Sequence, residues 1–193
     1  VDVGLINGLP GHPLFVHTAV VLVPLTALAL LVCLLWQSAA RRLSWVLPVL
    51  GLVTLVLVWL TTESGEWLEE RVRETALVEE HTEMGSDLTP WVIALFVLII
   101  VVWLLGRVGS GWGRERSDAT GGSTAGGASA LARRASSVPV RVAVLVLALV
   151  VAVGAAIEVY RIGDSGAKAV WDGRFSTTPP VTRETPAQGH TRQ

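Results

Sequence analysis

Gly11-His12-Pro13-Leu14-Phe15-Val16-His17 opens the stretch that decides the fold, because an apolar run continues from it to Trp36. A helix needs about 20 apolar residues to cross hydrocarbon, and residues 13–36 supply them. Pro13 is suited to the first helical position and biases its predecessor away from helical angles, so His12 is expected just outside the helix and His17 one turn inside. A helix start carries unpaired N–H groups and the positive dipole end, so imidazoles there tend to stay neutral and free to act as ligands.

The composition agrees with a membrane protein: 51% of the 193 residues are hydrophobic and 16% charged, with a mean hydropathy of +0.57, outside the range of a soluble domain. Four stretches are long and apolar enough to span, residues 13–36, 43–62, 90–108 and 139–160. The expected fold is an all-α membrane protein, an antiparallel four-transmembrane-helix bundle in contact with the lipid bilayer. Pro13, Pro90 and Pro139 stand at helix starts, where a missing N–H costs nothing; Pro24 lies inside the first span and predicts a kink there. The first run is too long for a cleaved signal and reads as an anchor.

Charge sets the orientation. Arg41 and Arg42 lie between the first two spans, and Arg107, Arg114, Arg116, Arg133 and Arg134 lie between the last two, which places those loops in the cytoplasm. The second loop carries nine acids between Glu63 and Asp87 against Arg71 and Arg73, which places it outside with both termini. Arg161, Lys168 and Arg174 run against this pattern. Trp36, Trp45, Trp103 and Trp112 fall at the expected cytoplasmic ends and Trp59, Trp67, Trp91 and Trp171 at the outer ends, as interfacial belts do. The chain is expected to cross its membrane several times.

Residues 1–175 form one four-helix membrane domain. Residues 109–137, rich in Gly, Ser, Ala and Thr, read as a flexible cytoplasmic linker, and residues 176–193 as a disordered tail. Residues 64–84 mix acids with Trp67, Leu68, Val72, Leu77 and Val78, and predict a short amphipathic helix lying across the outer mouth. Ala148, Ala152 and Ala156 form a close-packing stripe, with Glu158 on the adjoining face. Cys33 is a lone thiol, which excludes an internal disulfide or a thiolate cluster and fits a core position.

The up-and-down topology gathers His12, His17, Glu63, His81 and Asp164 at the outer end, with Glu158 nearby. Ionisable groups at membrane depth are costly and tend to be paired or functional. The plain alternatives are that His17 bonds a backbone carbonyl and Glu158 pairs with Arg161. The sharper reading is a cofactor site: haem b or a transition metal, with His12, His17, Glu63, His81 and Asp164 as candidate metal ligands and His17 with His81 as the candidate haem pair, because His12 and His17 share one helix. Gly163-Asp164-Ser165-Gly166 lacks the partners of a serine nucleophile and is expected to end the fourth helix with a glycine cap. No paired nucleophile and base is visible, so the chain reads as no enzyme on its own. Orientation accounts for the arginines, and no nucleic-acid partner is expected.

His12-Pro13-Leu14-Phe15-Val16-His17, the Thr62-x-x-Gly65 exit of the second span, the isolated His81 and the Gly163-x-Ser165-Gly166-Ala167 turn together resemble a bacterial family of four-helix membrane domains of unknown function. The resemblance covers nearly all of the chain apart from linker and tail. It implies company with Rieske or cytochrome c modules, to which related domains are sometimes joined, and so a redox-associated role. Members often carry histidine where this chain has Asp164; an axial haem ligand there would be missing here, while aspartate still suits a non-haem metal. The competing expectation is a structural or accessory subunit of a larger membrane complex.

Overall fold

The computed structural model describes residues 4–73, 75–115 and 138–174, with side chains omitted for 108–115. Among these residues two short strands, β1 (Leu5–Ile6) and β2 (Leu9–Pro10), precede the helices α1 (His12–Leu35), α2 (Gln37–Arg42), α3 (Val46–Glu69), α4 (Ala76–Glu115) and α5 (Val138–Trp171). Four of them, α1, α3, α4 and α5, are long and apolar enough to cross a membrane, so the chain is an all-α, multi-pass membrane protein. Successive long helices run antiparallel and close a ring: α1 packs on α3 and α5, α4 packs on α3 and α5, and α1 meets α4 only slightly across the diagonal.

The core has two layers. Ala19, Val23, Val58, Leu88, Val92, Ala155 and Val159 pack at the end where α1 begins, the histidine end. Ala27, Leu30, Cys33, Leu95, Ile99 and Ala148 lead the layer toward the arginine end. Between them the fully buried Thr26 and Thr54 hydroxyls join at 2.7 Å, and Thr54 donates its own proton to the Leu50 carbonyl at 2.8 Å. Each hydroxyl thus satisfies a polar atom that apolar surroundings would otherwise penalise. Val21, Leu28, Val53, Val97 and Val153 are exposed on the outer faces, as lipid-facing side chains must be when lipid is the solvent.

Several boundaries differ from the expected ones. His12 is the first residue of α1, not a loop residue before it. What fixes it there is a hairpin: Asn7 (φ 51°) and Gly8 (φ 79°) form a two-residue turn between antiparallel β1 and β2, the Asn-Gly chemistry that favours such turns. The Gly11 N–H then closes the loop on the Gly4 carbonyl at 2.9 Å. No separate helix crosses the mouth among the described residues. The segment expected to form it instead lengthens two spans, with α3 continuing past Thr62 to Glu69 and α4 starting at Ala76, so that Pro90 lies inside a helix. The turn expected at Gly163–Gly166 is also helical, and α5 runs to Trp171 before Gly173 takes a positive φ of 67°. Packing explains this: α3 and α5 must reach beyond the apolar layer to support the histidines of α1 and α4. At its other end α4 runs on to Glu115, so residues 109–115 of the expected linker are helical; the rest of that linker, the tail and Glu74, with the side chain of Trp112, lie outside the described residues.

Candidate functional site: a histidine pair on serine–glycine seats

His12 at the start of α1 and His81 in the first turns of α4 come from diagonal helices and meet at the histidine end. Their ring centroids are 6.3 Å apart and their planes lie at 80°, edge to face. Both residues are half-buried.

Each ring is held at Nδ1, by a carbonyl in one case and a serine hydroxyl in the other. The His12 Nδ1–H donates to the Thr61 carbonyl at 3.0 Å, and the Ser64 hydroxyl donates to that same carbonyl at 2.9 Å. The His81 Nδ1–H donates to Ser165 Oγ at 2.9 Å, while the Ser165 hydroxyl gives its proton to the Ile162 carbonyl at 3.0 Å. A carbonyl accepts only, and Ser165 has already spent its proton, so both Nδ1 atoms carry hydrogen. A neutral imidazole protonated at Nδ1 keeps its lone pair at Nε2. Among the described residues neither Nε2 has a hydrogen-bond partner.

A glycine follows each serine and forms the floor under its ring. A Cβ added at Gly65 would stand 3.0 Å from His12 Cε1, and one at Gly166 would stand 2.9 Å from His81 Cε1. The α3 segment Glu63-Ser64-Gly65 and the α5 segment Asp164-Ser165-Gly166 therefore repeat one device: an acid at the surface, a serine fixing a carbonyl, a glycine admitting an imidazole.

The other expected site residues lie apart from this pair. His17 is exposed on the outer face of α1, its Nδ1–H bonded to the Pro13 carbonyl one turn back, so the ring that meets His81 is His12. Glu63 is exposed. Asp164 is exposed and holds Lys168 Nζ at 2.6 Å. Glu158 pairs with Arg161 through both carboxylate oxygens, at 3.1 and 3.3 Å. Among the described residues no three His, Cys, Asp or Glu side chains gather closely enough to hold one ion. Ser64 was missed as a site residue from sequence, although its signal was present in the acid-Ser-Gly triplet that occurs twice.

At the arginine end, Trp45 and Trp103 meet edge to face at 4.9 Å, and the Arg107 guanidinium lies 4.1 and 4.7 Å from their ring centroids. This is a cation–π anchor of the kind suited to a membrane interface.

No curated protein and no solved structure matches the chain. The family model of predicted membrane proteins designated DUF2231, a domain of unknown function, matches residues 8–179, and the chain belongs to that family.

Proposed function

We propose that this membrane protein binds a transition-metal centre at the histidine end of its bundle, through Nε2 of His12 and Nε2 of His81, in a redox-associated role. The observation that carries the reading is the pair of half-buried imidazoles 6.3 Å apart, each tied at Nδ1 and each with its Nε2 lone pair unused. Tying the distal nitrogen to a carbonyl or hydroxyl is how metal-binding histidines are oriented and made more basic.

The donor set tests the fit. Two neutral nitrogens suit copper, iron or zinc and do not suit magnesium or calcium, which want oxygen. Two rings 6.3 Å apart at their centroids are close enough that one centre could draw on both. Haem is a second reading: it would supply one-electron chemistry, and the part of His12 and His81 would be to bind and orient it.

The arginine asymmetry supports an extracytoplasmic histidine end, with both termini on that side of a bacterial plasma membrane. Exposed Glu63 and Asp164 would then flank the approach to the pair. Rieske or cytochrome-type proteins are the partners this reading suggests.

The experiment is mild extraction from the native membrane, followed by absorption spectroscopy and elemental analysis. The expected result is about one metal per chain, lost in His12→Ala and in His81→Ala and retained in His17→Ala. A Soret band that shifts on reduction selects haem. A colourless, metal-free protein overturns the reading and leaves an accessory subunit of a larger complex in its place.

A further inference from the structure

His12 and His81 head two halves built to one register. At equal spacings after each histidine, Ala19, Val23 and Leu30 of α1 correspond to Leu88, Val92 and Ile99 of α4, and all six are buried. At equal spacings before each Ser-Gly pair, Leu47, Thr54 and Val58 of α3 correspond to Ala148, Ala155 and Val159 of α5, again all buried. Buried positions recur every three or four residues in any packed helix, so matching periods alone mean little. What goes further is the shared phase: the same spacing leads to a histidine on α1 and α4 and to a serine followed by glycine on α3 and α5.

The packing obeys the same rule. α1 seats its histidine on α3 as α4 seats its own on α5; α3 packs on α4 as α5 packs on α1; the corresponding helices α1 and α4 stand on the diagonal. A twofold axis along the bundle maps each of these relations onto another. The bonds follow it too, since each serine donates to the carbonyl three residues before it, Thr61 in one half and Ile162 in the other.

We infer that the chain is a tandem repeat of one two-helix unit, and that its site consists of two equivalent half-sites facing across a pseudo-twofold axis. A single transition-metal ion would then be held jointly by His12 and His81, with a cuprous ion the one most content with two such ligands. The ligand part of this inference rests on the reading of His12 and His81 as metal donors. The repeat itself stands on register and packing. Neither half can hold the ion alone, so the two histidines are interchangeable in effect although they lie on helices of unlike sequence.

The full chain in detergent is titrated anaerobically with Cu⁺ against a competing chelator, and 15N spectra of the histidine rings are recorded without metal. The expected result is one Cu⁺ per chain, with His12→Ala and His81→Ala each weakening binding by roughly 100-fold or more, in line with losses seen when metal sites are disturbed, and by similar factors. Without metal, both rings are protonated at Nδ1. Should the alanine variants fail to fold, His12→Asn and His81→Asn are compared in the same way. Binding that depends on one histidine alone overturns the equivalence while leaving a metal site. Rings in different tautomers overturn the repeat whether or not copper binds. Two matching Nδ1–H rings with no Cu⁺ uptake support the repeat and overturn the metal reading alone.

Discussion

Gly65 and Gly166 occupy the same place in the two helical hairpins, each lying under the imidazole of a histidine from the preceding long helix, where a Cβ would come within 3.0 and 2.9 Å of the ring. Glycine inside a helix costs about 1 kcal/mol relative to alanine, so its use at both positions trades helix stability for the approach of the ring. Gly65→Ala and Gly166→Ala should each push its ring off the seat, costing about 1–3 kcal/mol as overpacking does and weakening metal uptake. Gly85→Ala is the control, because a Cβ there meets nothing within 4 Å; it should leave uptake unchanged and raise the melting temperature slightly. Equal behaviour of all three variants would remove the seats from the site.

The buried Thr26–Thr54 pair joins α1 to α3 between the two core layers. Thr54→Val leaves the Thr26 hydroxyl without its acceptor and should cost about 0.5–1.5 kcal/mol, the range for hydrogen bonds between helices in membranes. The double variant Thr26→Val with Thr54→Val removes both polar groups and should regain part of that loss. A double-mutant cycle on thermal unfolding in detergent measures the coupling. Strictly additive losses would mean that the two hydroxyls do not depend on each other.

Glu158 was expected to face the bundle near the fourth span's end, and its side chain is indeed only 12% exposed. Its partner Arg161 is 48% exposed and keeps its access to water. Ion pairs with one solvated member contribute little, so Glu158→Gln should shift the melting temperature by no more than a few degrees. A much larger loss in a thermal melt would point to a second, buried partner.

The spans were legible because hydrophobic length and interfacial tryptophans report directly on the bilayer, and Pro13–Trp36 contains enough of both to be read alone. Helix ends were less so. Thr62 and Gly163 look like exits when only apolar length is counted, yet α3 and α5 continue because their next residues carry the histidine seats. Pairing was the least visible feature. His17 has the more regular helical position, but His12 faces inward because the Asn7-Gly8 hairpin and the Gly11–Gly4 closure fix how the chain enters α1. That turn signal lay in the sequence, within the stretch read only as an approach to the helix. Asp164 and Glu63 shared an end with the histidines without sharing a centre, since nearness along the bundle axis says nothing about which helix face a side chain takes.

Metal uptake should depend on pH with a definite sign. An imidazole must be neutral to offer Nε2, so binding releases protons and weakens as pH falls. With two imidazole ligands, affinity should be steady where both rings are neutral and should fall, with a slope approaching two protons per ion, where acid protonates both. Titration of Cu⁺ at a series of pH values measures the slope. A slope of one would leave a single histidine as ligand.

The last prediction fixes the compartment that the histidine pair faces. Arginines cluster at the α2 end and acids at the α3–α4 connection, and short loops rich in arginine stay in the cytoplasm. Cys33 is buried and is replaced by serine to give a background without thiols. Ser38→Cys on α2 and Glu70→Cys after α3 then place one exposed thiol at each end. An impermeant maleimide applied to intact cells should label Glu70→Cys and leave Ser38→Cys unlabelled until the membrane is opened. Because His12 and His81 sit at the Glu70 end, that pattern sets the site on the extracytoplasmic side, within reach of redox partners there. The reverse pattern would turn the site to the cytoplasm and rule out extracytoplasmic cytochrome-type partners for it.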